Sequence, residues 1–189
     1  MICAHFELGR RPSQPAYPGK VDRESGCGFL GSNQTGLRRP SHKTEGFLLS
    51  DSSINPETVQ AYLETEYFVR GEHDFVLRVG QFSNSLESEH RLRGSDCSAF
   101  ITAYNPFSKV VAEVDNAKRQ KTLTDELQRR SLTFADGIGQ HPSNQWPGEP
   151  SYLVFGLTLE ASKTLGARFE QNAIIWCGID CVPQLILLR

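Results

Sequence analysis

From residue 54 onward, apolar positions alternate between two rhythms, the 3.6-residue period of a helix and the two-residue period of a strand. Val59, Tyr62, Leu63 and Tyr67 share one helical face behind Asn55-Pro56, where Asn caps free amides and Pro fits the first helical position. That predicts a helix ended by Gly71 and the charged run Glu72-His73-Asp74. Phe75, Leu77 and Val79 alternate with Val76 and Arg78, predicting a half-exposed strand. Residues 80–96 are polar apart from Phe82, Leu86 and Leu92 and read as a loop with at most a helical turn. A strand over 98–104 is stopped by Asn105-Pro106, because proline cannot donate to a sheet ladder. A helix over 114–130, a short strand over 132–135 and a Gly-, Pro- and amide-rich loop over 136–150 follow. Residues 151–157 are apolar on both faces, which predicts a central strand covered twice. Thr158 caps a helix over 159–169, and strands over 173–177 and 184–188 close the chain. The element order αββαββαββ predicts an α+β domain, a mostly antiparallel sheet of about six strands with three helices packed on it.

Residues 1–50 lack any such rhythm. They hold 7 of the 16 glycines and 4 of the 10 prolines, and their one apolar cluster is Phe47-Leu48-Leu49. So little burial does not offset the entropy of ordering a backbone, so this stretch is expected to be a disordered or mis-started extension. A single α+β domain is expected over 51–189.

Charge divides in the same place. Seven basic and four acidic residues give the first fifty a charge of +3, and 13 basic against 18 acidic leave the remainder at −5. An acidic domain is a poor partner for phosphate backbones, which argues against nucleic acid. Lys118, Arg119, Lys121, Arg129 and Arg130 on the second predicted helix keep nucleic-acid association as an alternative, but helical spacing spreads them around the cylinder. No apolar run reaches the roughly 18 residues of a membrane span, and the start lacks the apolar core of a secretory signal. The five cysteines, Cys3, Cys27, Cys97, Cys177 and Cys181, are odd in number, which points to reduced thiols and a cytoplasmic location. Cys177 and Cys181 have no second Cys or His pair to complete a zinc set, so neither metal nor cofactor is expected.

Several longer motifs carry a family likeness. Asn55-Pro56-Glu57 with Tyr62, the run from Ala99 through Tyr104 to Ser108, and Asn116 with Arg119 come first. Trp146-Pro147 with Glu149-Pro150-Ser151, and Phe169-Glu170-Gln171-Asn172-Ala173, complete the set. In these the chain resembles the bacterial domain-of-unknown-function family 3293 over roughly residues 54–189. The resemblance implies a short, cytosolic bacterial protein; the family has no agreed activity and supplies no catalytic residues to carry over.

Familiar catalytic signatures are missing. Gly26-Cys27-Gly28-Phe29-Leu30-Gly31 spells a dinucleotide fingerprint, but no strand precedes it and no helix follows. There is no nucleophile elbow, no H-E-x-x-H and no P-loop. His73 and His90 sit in charged stretches and read as solvated, while His141 lies in the 136–150 loop without a partner that sequence can name.

The strongest anomaly lies on the second predicted helix. Leu123 and Leu127 define its inward face, and the same stripe runs back through Gln120 and Asn116. A buried amide without partners costs about 1–3 kcal/mol, so something must satisfy both. Either Asn116 bonds loop backbone near Asn105-Pro106, or Asn116 and Arg119 face a cleft. If the strands starting near 151 and 173 run antiparallel to 98–104, then Asn105, Asn116, Arg119, Trp146, Glu149, Gln171 and Asn172 gather at one sheet end. That is the inventory of a polar pocket, although each residue also has a local structural duty.

The expected function is a non-catalytic binding or interaction module with a polar cleft, whose partner is a polar small molecule or a protein. The alternative is a small enzyme on a nucleotide-like or other polar anionic metabolite, with Glu149 or His141 as acid or base and Arg119 holding the anion.

Overall fold

The computed structural model describes residues 52–143 and 147–189; the expectations for residues 1–50 and for Trp146 lie outside them. Among the described residues four helices and seven strands follow one another. They are α1 (Pro56–Glu64), β1 (Glu66–Val69), β2 (Phe75–Leu77), α2 (Asn84–Arg93), β3 (Ser98–Ile101), α3 (Glu113–Arg129), β4 (Phe134–Gln140), β5 (Glu149–Phe155), α4 (Leu159–Arg168), β6 (Ala173–Cys177) and β7 (Gln184–Leu187). A single 3-10 turn, Pro106–Ser108, stands between β3 and α3. Among the described residues no helix is long and apolar enough to cross a membrane.

The strands form one sheet in the order β2-β1-β4-β5-β3-β6-β7, with every pairing antiparallel. Alternate residues of each strand serve two cores. Phe100, Leu153, Phe155, Ile175 and Cys177 pack with Val59 of α1 and Leu86 of α2. Ala99, Ile101, Val154 and Ile174 pack with Leu123 and Leu127 of α3 and Leu165 of α4 on the other face. Helices therefore cover both faces, and β5, the fourth of seven strands, is central as its two-sided apolar pattern requires.

The α+β class and the antiparallel sheet stand, but the strand and helix counts need correcting. The helical face ending at Tyr67 is split: α1 stops at Glu64, and Tyr67 belongs to β1, where it pairs with Leu77 and Gly139. A four-residue strand is too short to show its period against a preceding helix. The polar stretch before β3 holds a full helix, α2, capped by Ser83 (Leu86 N–H to Ser83 Oγ, 3.2 Å) and closed by Gly94 in the left-handed conformation. It has a narrow apolar face because only Leu86 and His90 are buried.

β4 is also longer than its apolar residues suggest. Gly137 and Gly139 look like loop residues but sit in the strand, facing the α1 side with Ala135. A Cβ at Gly137 would come within 2.6 Å of Phe100 Cε2 and 2.7 Å of the Phe68 carbonyl oxygen. The glycine lets the aromatic ring cross the sheet surface.

Candidate functional site

On the α1 face, at the end of the sheet where β3 finishes and β5 begins, lies a cavity of about 530 Å³. Its floor comes from strand residues of one parity: Tyr67, Gly139, Glu149, Ser151, Phe100 and Ile175. Small residues on β4 and β6, Gly139 and Ala173, leave the depth unfilled. Tyr67 and Phe100 meet edge to face, 5.2 Å between centroids at 71°. α1 contributes Tyr62 and the segment after β3 contributes Tyr104, Asn105 and Ser108.

That segment is strained. Asn105, Phe107 and Ser108 have φ of 46°, 53° and 56°, half of the six non-glycine residues with positive φ among those described. Each such residue costs about 1–2 kcal/mol and persists only where its surroundings hold it. The holders are side chains from distant elements. The Asn105 N–H donates to Asn116 Oδ1 (2.8 Å), and Asn116 Nδ2 donates back to Asn105 Oδ1 (3.0 Å). Asn105 Nδ2 donates to Glu149 Oε1 (2.6 Å). Gln120 Oε1 accepts from the Ala103 N–H (3.0 Å), and Gln171 Nε2 donates to the Tyr104 carbonyl (3.0 Å). Asn172 Nδ2 reaches Ser108 Oγ (3.0 Å) and Tyr62 Oη (3.3 Å), which are themselves hydrogen-bonded to each other.

Four of the sequence candidates, Asn105, Asn116, Glu149 and Gln171, line the cavity. Asn116 bonds the Asn105 backbone, the first of its two alternatives, and also lines the cavity, although without the Arg119 that the second alternative placed beside it. Asn172 stands behind the wall, holding Tyr62 and Ser108. Arg119 does not line the cavity. Its Nε donates to the Ala103 carbonyl (2.9 Å), Nη2 to the Phe169 carbonyl (2.5 Å) and Nη1 to Glu170 (2.9 Å). The guanidinium fastens the loop to the end of α4 instead of facing a ligand.

Burial pushes the Glu149 carboxyl above the ordinary carboxylate range, and the bond from Asn105 pulls it partly back. Asn105 occupies Oε1, and among the described residues no side chain or backbone group hydrogen-bonds the second oxygen, Oε2. His141 lines the cavity too, with Nε2 3.3 Å from Glu64 Oε2 and Nδ1 2.7 Å from Ser143 Oγ. Glu64 is pulled below its usual range, first by Gln60 and then by His141. Tyr104 donates to Glu113 Oε1 (3.0 Å). No Lys or Arg stands among the described residues lining the cavity.

Sequence alone missed the three tyrosines and Ser108. Tyr62 and Tyr67 carried the α1 periodicity and looked like core, while Ser108 enters only through the backbone turn. His90, expected to be solvated, is 4% exposed, with Nε2 2.9 Å from Ser98 Oγ and Nδ1 3.6 Å from Cys181 Sγ. Burial lowers its affinity for a proton. The basic residues of α3 are paired locally, Lys118 with Asp115, Lys121 with Asp125, and Arg129 and Arg130 with Glu126.

No curated protein and no solved structure matches the chain. Residues 101–174, a span from the last residue of β3 to the second of β6 that takes in both the strained loop and Glu149, match the model of the family described as protein of unknown function (DUF3293).

Proposed function

We propose that the protein is a non-catalytic binding module and that the cavity between α1, the 103–108 loop and the sheet holds a small polar-headed ligand. One observation carries this reading: a cavity of about 530 Å³ with an open carboxylate oxygen on its floor, walled by a strained loop that α3, β5 and the α4–β6 turn hold in place. Ligand pockets of roughly 300–1,000 Å³ combine apolar walls with a few fixed polar groups in this way. A loop carrying this much strain, tied by so many side chains, is a preorganised wall.

Thermal shift against a metabolite panel tests it, using wild type and Gly139→Leu. A Cβ at Gly139 makes only ordinary contacts, 3.7 Å or more from Thr65 and Tyr67, so the longer side chain fills the cavity without forcing the backbone. A compound at a hundredfold excess over its Kd should raise the wild-type Tm by about 5–10 °C and leave the variant unmoved. Stabilisation of neither protein, or of both equally, refutes the reading.

An enzymatic reading draws support from Glu149 and His141 lining the same cavity, an acid–base pair of different ordinary pKa. Turnover of the stabilising compound, abolished by both Glu149→Gln and His141→Gln, would favour it. Its anionic-substrate form finds no Lys or Arg among the described lining residues, and Arg119 is committed to two carbonyls and Glu170.

A further inference from the structure

We propose that the cavity selects a small organic cation, an ammonium or amidinium on a flat apolar body, with its charge seated on the free oxygen of Glu149. This rests on the cavity being a ligand site and adds the chemical class of the ligand.

The charge pattern of the wall points one way. Its formally charged members among the described residues are Glu113 and Glu149, and neither Lys nor Arg lines it. The nearby guanidinium of Arg119 is spent on backbone carbonyls and Glu170. The N-terminus of α3, ordinarily an attractor of anions, already carries Glu113 and Asp115 in its first turn. His141 is held by Glu64 and Ser143. An anion entering this space would meet two carboxylates and no counter-charge.

A metal ion fits poorly. Among the described residues no group of three or more His, Cys, Asp or Glu side chains is placed to hold one. Glu149 offers one oxygen beyond the one Asn105 uses, enough for a single charge-assisted bond from an ammonium or from one N–H of an amidinium. The apolar part has its partners. Phe100, Ile175, Leu185 and Ala173 line the cavity together with the rings of Tyr62, Tyr67 and Tyr104. Aromatic faces beside an anionic anchor are the surroundings in which organic cations bind.

The test is an NMR titration of the full chain with four compounds that share a phenyl ring and differ in head group: benzylamine, benzamidine, benzamide and benzoate. The two cations should shift the backbone resonances of Tyr67, Gly139 and Glu149, and benzoate should not. Glu149→Gln should weaken the cations about tenfold or more and leave benzamide unchanged, since loss of a charged partner affects only the charged ligand. Glu149→Asp keeps the charge and should retain the preference for benzylamine over benzamide. Glu160→Gln, an exposed carboxylate on α4 that pairs with Lys163 and does not line the cavity, serves as the control for a general loss of negative charge and should change affinity less than twofold. Benzoate binding as well as benzylamine, or cations indifferent to Glu149→Gln, would overturn the charge assignment. In that case benzamide shifts at the same residues would leave the binding site standing. Absence of cavity shifts from all four at millimolar concentration would overturn the site as well.

Discussion

Replacing Asn116 by leucine removes the two hydrogen bonds that fix Asn105 in its left-handed conformation while nearly preserving side-chain volume. Asn116 is 3% exposed, so water cannot take over its role. Its Oδ1 accepts the Asn105 N–H at 2.8 Å and its Nδ2 donates to Asn105 Oδ1 at 3.0 Å. Leaving the Asn105 amide without an acceptor costs about 1–3 kcal/mol, and the second bond contributes about 1 kcal/mol. The expected loss is about 2–4 kcal/mol, a fall in Tm of roughly 6–16 °C for a domain of this size. Asn116→Asp keeps an acceptor for the amide and should lose only the smaller part. Urea denaturation supplies the free energies, and hydrogen exchange at the Asn105 amide supplies the location. In the leucine variant that amide should exchange markedly faster than those of β5. A leucine variant within about 0.5 kcal/mol of wild type, or with unchanged exchange at Asn105, would refute the claim that these bonds hold the loop.

Gly137→Ala should destabilise by about 1–3 kcal/mol, because the new methyl meets both the Phe100 ring and the Phe68 carbonyl at under 3 Å and only the ring can yield; an unaffected urea midpoint would mean the ring does not cross the sheet there. For Glu149→Gln the effect depends on pH. Burial raises the carboxyl's pKa, so the folded chain binds that proton more tightly than the unfolded chain, and wild-type stability falls as pH rises from about 4 through the folded pKa. The amide is neutral throughout and can still accept from Asn105, so the variant should match wild type in acid and exceed it near neutrality. Tyr62, Tyr67, Tyr104, Glu113 and His141 share the cavity and remain in both proteins, so the difference between the two urea curves isolates Glu149. A wild type that gains on the variant with rising pH would contradict the assignment.

The parts of the fold that sequence made legible are those set by local chemistry. Asn55 and Thr158 cap α1 and α4 with the expected side-chain bonds, 2.8 Å to the Glu57 N–H and 3.4 Å to the Ala161 N–H. The two-sided apolar run at β5 marks the centre of the sheet. The meeting of Asn105, Glu149 and Gln171 at one sheet end followed from chain direction, since β5 and β6 run antiparallel to β3 and so begin where it ends. Where tertiary contacts override local preference, the pattern misleads. Gly137 and Gly139 spell a loop, yet the Phe100 ring and the cavity require their missing side chains within a strand. The surroundings of His90 spell a surface, yet Ser98 and Cys181 bury it. For Arg119, charge suggested an anion site, but the fork is occupied by the carbonyls of Ala103 and Phe169, which residue type does not encode.

A crystal structure of the protein soaked with benzamidine tests the central claim most directly. The amidinium is expected within about 3 Å of the free oxygen of Glu149, with the phenyl ring against Phe100 and Tyr67. Benzamidine bound elsewhere, or in the cavity with its amidinium turned away from Glu149, would contradict it.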